Sequence, residues 1–147
     1  MAETPVQILE VRATGGASPV TITLAVSGEA SRAILTALSE QLDRRRRTEI
    51  DSVEDVLALR EQTALVERFE PLAAADAHAV VSVTDSEVRG CLLELTAYAD
   101  RVDGDHFQPS EVRKRLAVLA EITPTLWDAN AAAADAADSL SEAASLP

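Results

Sequence analysis

The chain has 147 residues and a formal net charge of -12, from 25 acidic and 13 basic side chains, and 47% of its residues are hydrophobic. This length and composition fit one globular domain with a single core, and they exclude a disordered chain. No apolar run reaches the roughly 18–20 residues that span a bilayer, and the single cysteine excludes an internal disulfide and a cysteine-rich zinc site.

Charge is distributed unevenly along the chain. Residues 1–47 carry six basic and five acidic side chains, whereas residues 48–147 carry seven basic and twenty acidic ones. An acidic excess with a single lysine suits a cytoplasm of high salt, where screening weakens repulsion between carboxylates. Because MAETPVQILE lacks the basic and apolar regions of a secretory signal, we predict a cytoplasmic protein with one domain over residues 1–147 and no membrane partner.

The chain opens with two predicted strands. In PVTITLAV, residues 19–26, apolar side chains alternate with small ones, which is typical of a half-buried strand. Residues 5–13 are also rich in β-forming side chains, and the glycine-bearing TGGAS between the two segments has the length of a hairpin turn. The pattern predicts an antiparallel β-hairpin over about residues 5–26.

A helix is predicted after the hairpin, and it ends in Arg44, Arg45, Arg46 and Arg47. Ser27 is a suitable N-cap, and apolar residues then recur every three or four positions. Because successive helical residues are rotated by about 100°, four consecutive arginines cannot share one face. We therefore expect them to form the basic C-terminus of the helix, where positive charge meets the negative end of the helix dipole.

Two other roles for the four arginines are a surface for a protein partner and a grip on nucleic acid. Phosphate binding needs several cations on one face, whereas residues 48–147 would repel DNA over a Debye length. Only Arg113, Lys114 and Arg115 offer a second basic patch, and no aromatic residue lies among the four arginines. We expect no nucleic-acid partner and take the four arginines as candidates for partner binding or self-association.

A second helix and a short third strand are predicted next. The helix opens at DSVED, with Asp51 or Ser52 as its cap, and Pro71 is expected to end or kink it. Its apolar positions drift around the helix, which indicates more than one neighbour; they are Val53, Val56, Leu57, Ala64, Leu65, Val66 and Phe69. AVVSV at residues 79–83 predicts the third strand, because an isolated two-stranded hairpin is only marginally stable in water.

The third predicted helix has the clearest boundaries. It opens with the capping box Thr84-x-x-Glu87 and stops at Gly104. Cys91 and Tyr98 lie on its apolar stripe. We expect both side chains in the core, with Cys91 as a small buried hydrophobe rather than a nucleophile.

Two further helices are predicted before the C-terminus. One opens near Pro109, and it carries Val112, Leu116, Leu119 and Ala120. Thr123 and Pro124 are the expected cap and first turn of a separate fifth helix, whose inward residues are Leu126, Trp127, Ala131, Ala134 and Leu140. The elements together predict an α+β fold: an N-terminal antiparallel β-hairpin with a third short strand, packed on a bundle of four to five α-helices over about residues 27–140. A frayed tail is expected over about 141–147.

The candidates for a chemical site are few. His78 and His106 are the only histidines, and with Asp103 and Asp105 they could form a metal site or the centre of a small metal- or ligand-dependent enzyme. The acidic spacing does not match an EF-hand loop, and an Asp- and Gly-rich segment between helices is usually a turn. No catalytic or phosphate-binding motif occurs. We therefore predict no cofactor and keep the enzyme as an alternative.

The function expected from these features is a non-enzymatic protein-interaction or regulatory module that forms a homodimer. Two hairpins could pair at their exposed edges across a two-fold axis, and the arginines of one protomer would then meet acidic helices of the other. The acidic helical face could also bind a basic protein partner. A further alternative is an acidic mimic of nucleic acid, which needs carboxylates spaced regularly on one face, whereas this sequence scatters them.

Overall fold

The predicted α+β fold is confirmed, with a three-stranded antiparallel sheet and four helices in the part of the chain that the structure describes. The computed structural model describes residues 5–13, 20–48, 50–75, 77–103 and 109–145, and at Asp103 and residues 140–145 it describes the backbone alone. In chain order the elements are β1 (Val6–Arg12), β2 (Thr21–Val26), α1 (Gly28–Arg47), α2 (Val53–Ala75), β3 (Ala79–Thr84), α3 (Asp85–Asp103) and α4 (Ser110–Ser145).

The sheet has the order β1-β2-β3, so that the predicted third strand is confirmed and β2 lies in the centre. The alternation in β2 places Ile22, Leu24 and Val26 on the buried face. In β3 the buried residues Val81 and Val83 lie opposite Leu24 and Ile22. These apolar side chains form the sheet's part of the core.

The first strand contains an irregularity that affects its outer edge. The register between β1 and β2 shifts between Ile8 and Glu10, which leaves Leu9 as an extra, half-exposed residue. After this bulge Val11 lies opposite Ile22, so that it stays on the buried face. The bulge therefore keeps the apolar pattern of β1 in register with the core although its alternation is imperfect.

Helices α1 and α3 each contact the other three helices, and the most extensive helix–helix packing is that of α1 on α2. Ser27 caps the N-terminus of α1 by accepting the backbone N–H of Ala30 at 3.0 Å, as predicted. Small buried residues let its neighbours approach closely; they are Gly28, Ala30, Ser31, Ala33 and Ala37. Helix α4 packs on β1 and β2 as well as on α3, whereas α2 packs on α1 and α3.

The predicted capping box at the start of α3 is also confirmed. The backbone N–H of Glu87 donates to Thr84 Oγ1 at 3.1 Å, and the backbone N–H of Thr84 donates to Glu87 Oε1 at 2.9 Å. On this helix Cys91 and Tyr98 are both buried, as predicted. The hydroxyl of Tyr98 accepts a hydrogen bond from Arg115 Nη1 at 2.9 Å, which joins α3 to α4.

The helix boundary predicted at Pro124 is wrong, and of the two outcomes expected at Pro71, an end or a kink of the helix, the end does not occur. Helix α2 continues past Pro71 to Ala75, and α4 is one helix of 36 residues with Pro124 inside it. A proline in a helix interior costs about 3 kcal/mol. In α4 that cost is outweighed because a buried stripe crosses Pro124 without interruption, at Leu119, Ile122, Leu126, Ala129 and Ala133.

The unbroken helix also corrects which residues of α4 face inward. Trp127 is 51% exposed, and Ala131 and Ala134 are exposed as well, although the sequence predicts that all three face inward. In one continuous helix each residue is rotated by about 100° from the residue before it. Trp127 therefore lies about 80° around the helix from the buried Leu119. Leu140 falls outside the side chains that the structure describes.

Candidate functional site

The four arginines occupy the last turn of α1, as predicted. Arg45 Nη2 lies 2.9 Å from Oε1 of Glu94, whose side chain is only 12% exposed, so that this pair fixes the end of α1 to α3. Arg44, Arg46 and Arg47 are exposed, and no carboxylate within the described ranges lies within 4.0 Å of their guanidinium groups. Three of the four positive charges therefore face solvent, whereas the charge of Arg45 is held in the ion pair with Glu94.

A surface groove of about 480 Å³ lies between the end of α1 and the start of α2. It is called the arginine groove here, and it is lined by Gln41, Arg44, Arg45, Arg47, Thr48, Ile50, Asp55 and Leu59. The positive charge in it is partly offset, because Glu94 pairs with Arg45 and Asp55 is itself part of the lining. A mixed groove of this kind suits the carboxylates and apolar side chains of a protein better than a multiply charged phosphate.

Next to this groove, α2 exposes apolar side chains over its first two turns. Val53 is 75% exposed, Val56 39% and Leu57 51%, and their spacing of three and four residues places them on one face of the helix, the α2 strip. The buried residues of α2, Gln62, Leu65, Val66 and Phe69, lie on the opposite face. The apolar residues of α2, whose pattern predicted several neighbours, thus lie on two faces of the helix. One face packs on α1 and α3, and the other is in contact with solvent.

Both ends of α2 carry acidic residues, with Glu54 and Asp55 in its first turn. The exposed arginines of α1 flank its N-terminal end, whereas Glu67 and Glu70 are exposed near its C-terminal end and no basic residue lies in its last turn. The nearby Arg68 is engaged in other contacts, because its guanidinium donates to Glu87 at 3.1 Å and to the carbonyl of Ser82 at 2.6 Å. Helix α2 is thus apolar on its outer face, and the positive charge near its N-terminal end comes from α1.

A second exposed apolar surface lies between α3 and α4. A groove of about 260 Å³, the α3–α4 groove, is lined by Leu95, Thr96, Ala99, Asp100, Leu116, Leu119, Ala120 and Thr123. Leu93, 68% exposed, lies one turn before Thr96, and Trp127 lies one turn after Thr123. Because α3 and α4 run antiparallel, both large side chains extend the walls of the groove at the same end.

An acidic stripe runs along α4 on a side away from this groove, where Glu121 lines another pocket together with Lys114 and Glu29. Glu121, Asp128 and Asp135 are all exposed and recur every seven residues, which places them close to one line along the helix. No lysine or arginine follows Arg115 in the sequence. The seven-residue repeat was the available sequence signal, and it was missed because the predicted break at Pro124 assigned these residues to two separate helices.

The candidate metal residues are only partly covered by the structure. His78 is exposed and precedes β3, and Asp103 is the last residue of α3. Asp105 and His106 lie outside the described residues. Within the described part of the chain, no group of three His, Cys, Asp or Glu residues is placed to hold a metal ion. A site that uses both histidines stays a prediction.

Cys91 is placed where a thiol is unreactive. Burial, and to a smaller extent the nearby charge of Glu94, raises the pKa of the Cys91 thiol to about 12. At neutral pH the nucleophilic thiolate is therefore almost absent. The position of Cys91 on the buried face of α3 supports its interpretation as a packing residue.

Comparison with known proteins gives no relative from which a function could be transferred. No protein-family model matches the chain, and no curated protein and no solved structure matches it. In the part of the chain that the structure describes, no helix has both the length and the apolar character required to cross a membrane. The exposed surfaces and their chemistry are therefore the basis on which a function is proposed.

Proposed function

We propose that the chain is a non-enzymatic, cytoplasmic protein-interaction module that pairs with a second copy of itself through the outer face of α2. The observation that carries this proposal is the α2 strip, where three apolar side chains at helical spacing face solvent. Burying a valine or leucine side chain fully is worth about 1.5–3 kcal/mol. A two-fold interface would bury the strip of each protomer and so gain this contribution twice.

The charges around α2 favour a second copy as the occupant. In an antiparallel pairing of two α2 helices, the exposed arginines of one protomer lie beside the end of α2 that carries Glu67 and Glu70 in the other. The two-fold axis would repeat this match at the other end of the interface.

The sheet edges are less suited to the hairpin pairing that the sequence predicted. At β3 the carbonyl of Ser82 already accepts a hydrogen bond from Arg68. At β1 the bulge at Leu9 and the exposed Glu10–Arg12 ion pair, 2.7 Å apart, are features that hinder edge-to-edge association. Pairing through β1 stays a prediction, and α2 is the better-supported surface.

The test is the mass of the assembly in solution, measured by native mass spectrometry and by light scattering after gel filtration. We expect a dimer for the natural chain and a monomer for the double variant Val53→Asp with Leu57→Asp, whose self-association should be weakened about 100-fold or more. Both residues are exposed, so the fold should survive. Circular dichroism would verify this.

Matched variants separate the α2 surface from a general effect of added charge. Leu93→Asp places the same change on an exposed leucine of α3 and should leave the dimer intact. Reversing Arg44, Arg46 and Arg47 to glutamate should weaken the dimer about tenfold, with Arg45 retained because it pairs with Glu94. A monomeric natural chain, or a double variant that remains a dimer, would overturn the proposal. Added mass from a metal in the native spectrum would instead support the enzyme alternative.

A further inference from the structure

We infer that the arginine groove is a binding site for a small organic monocarboxylate with a short apolar chain. The groove is complete within one protomer, so this role goes beyond the proposed self-association and does not rest on it. The inference rests on three properties of the lining: guanidinium groups from α1, apolar side chains from the start of α2 and the residues before it, and a small excess of positive charge.

The guanidinium groups provide the partners of a carboxylate. Arg44, Arg45 and Arg47 all line the groove. Arg44 and Arg47 have no carboxylate within 4.0 Å in the described ranges, whereas Arg45 is held by Glu94 of α3. A guanidinium group binds a carboxylate through two parallel N–H···O bonds, a geometry that a neutral ligand does not match. The two exposed arginines can therefore bind the ligand, and the ion pair of Arg45 fixes the helix end that carries them.

Two uncharged polar residues also favour an anion in the groove. Oε1 of Gln41 accepts a hydrogen bond from Arg101 Nε at 3.2 Å, so it is the donating amide nitrogen that this side chain can offer to a ligand. The hydroxyl of Thr48 donates to the carbonyl of Arg44 at 3.1 Å, and its backbone N–H donates to the carbonyl of Arg45 at 3.2 Å. Two carbonyl oxygens that would otherwise repel an anion are thus engaged.

The charge of the groove favours a ligand with one negative charge. The helix dipoles largely cancel, because the negative end of α1 meets the positive end of α2 here. Asp55 offsets one of the three guanidinium charges and Glu94 offsets another, so that one positive charge remains. The chain as a whole carries a net charge of -12, which would repel each further negative charge on a ligand. A singly charged carboxylate therefore fits better than a phosphate or an acidic peptide.

The apolar part of the lining fits a short hydrocarbon chain. Ile50 is 47% exposed, and Leu59 is partly buried against the core. Both side chains line the same groove as the arginines, so a ligand whose carboxylate contacts the guanidinium groups can lay its chain on them. The volume of about 480 Å³ lies within the range of small-molecule sites, roughly 300–1,000 Å³.

The experiment is a titration of the full chain with sodium hexanoate, followed by NMR through the backbone amide signals of Thr48, Ile50 and Leu59. We expect saturable shifts of these signals. Acetate has the same carboxylate without the chain and should bind about tenfold more weakly. The alcohol 1-hexanol has the chain without the charge and should give no saturable shift, and inorganic phosphate should bind more weakly than hexanoate.

Matched variants separate binding in the groove from general attraction to arginine. Arg44→Gln and Arg47→Gln should each weaken hexanoate binding about tenfold. Arg46 is exposed on the same turn but is not part of the lining, so Arg46→Gln removes the same charge and should change binding by no more than about twofold at about 0.15 M salt. Ile50→Ser should reduce the affinity for hexanoate and leave that for acetate unchanged.

Self-association is measured separately, because Arg44 and Arg47 are also expected beside Glu67 and Glu70 of a second copy. Light scattering on the same samples reports the subunit mass. A monomeric chain that binds hexanoate would refute the dimer and leave this inference standing. The inference would be overturned by the absence of saturable shifts, by equal binding of 1-hexanol, by tighter binding of phosphate, or by an equal loss of affinity in Arg46→Gln.

Discussion

Glu87 joins three elements of the fold through one carboxylate. It completes the capping box of α3 with Thr84 at the end of β3, and it accepts hydrogen bonds from Arg68 of α2. Burial alone would raise the pKa of Glu87. The hydrogen bonds from Arg68 and from the backbone of Thr84, together with the positive charge of Arg68, outweigh burial and lower the pKa below its ordinary value of 4.5.

This lowered pKa predicts how the contribution of Glu87 to stability depends on pH. Because the folded pKa lies below the unfolded one, the stabilisation is present above about pH 4.5 and is lost as the pH falls through the folded value. Glu87→Gln keeps an acceptor for the cap and removes the charge. We expect it to lower the free energy of unfolding by about 0.5–1 kcal/mol at pH 7, and this cost should become smaller as the pH falls below 4.5 and Glu87 of the natural chain is protonated.

Urea unfolding of the natural chain and of Glu87→Gln at a series of pH values would measure this difference. Glu87→Ala is the matched control, because it removes the cap as well as the charge and should retain a cost of about 0.5–1 kcal/mol at low pH. A cost of Glu87→Gln that stays constant between pH 7 and pH 3 would show that the ion pair with Arg68 contributes nothing.

Local signals in the sequence predicted some elements of the fold and could not predict others. The alternation of β2, the N-cap Ser27 and the capping box Thr84–Glu87 involve neighbouring residues only, and all three are confirmed. The continuity of α4 through Pro124 depends on what its buried stripe packs against, which the local sequence does not contain. The inward assignment of Trp127 failed for the same reason.

The cost of Pro124 provides a test of α4 as one helix. The proline cannot donate a hydrogen bond to the carbonyl of Ala120, one turn earlier, so Pro124→Ala should restore this bond. The gain is reduced by the greater freedom of alanine in the unfolded chain. We expect the free energy of unfolding to rise by about 1–2 kcal/mol.

Pro109→Ala is the control for this substitution, since Pro109 precedes the first residue of α4 and has no helical hydrogen bond to restore. Its effect on thermal or urea unfolding should be small. If Pro124→Ala had no greater effect than Pro109→Ala, two helices meeting at residue 124 would describe α4 better than one.

At the scale of the whole molecule, the sequence identified the charges of the candidate surfaces but not their apolar parts. The exposure of Arg44, Arg46 and Arg47 followed from their position at a helix end, whereas the groove between the end of α1 and the start of α2 depends on how the two helices pack. Val53 and Leu57 look like core residues in sequence, and only the packing of the opposite face of α2 shows that they are exposed.

The net charge predicts how salt affects the stability of the whole chain. Residues 48–147 carry twenty acidic and seven basic side chains, so repulsion between carboxylates extends over most of the surface. The exposed ion pairs are worth only about 0–1 kcal/mol each, and salt weakens them too. Repulsion between carboxylates exceeds the attraction within the ion pairs, and the Debye length falls from roughly 30 to 3 Å between 10 mM and about 1 M KCl. We therefore expect the midpoint of thermal unfolding to rise over this range.

A variant with less charge on α4 tests whether repulsion is the cause. Changing Glu121, Asp128 and Asp135 to their amides would reduce the net charge from -12 to -9. At the same protein concentration, this variant should unfold at a higher temperature in low salt and gain less from added KCl. If KCl raised the midpoints of both proteins equally, the stabilisation would come from a general effect of the salt on burial of apolar surface rather than from screening. A midpoint that did not rise would also contradict the proposed adaptation to a cytoplasm of high salt.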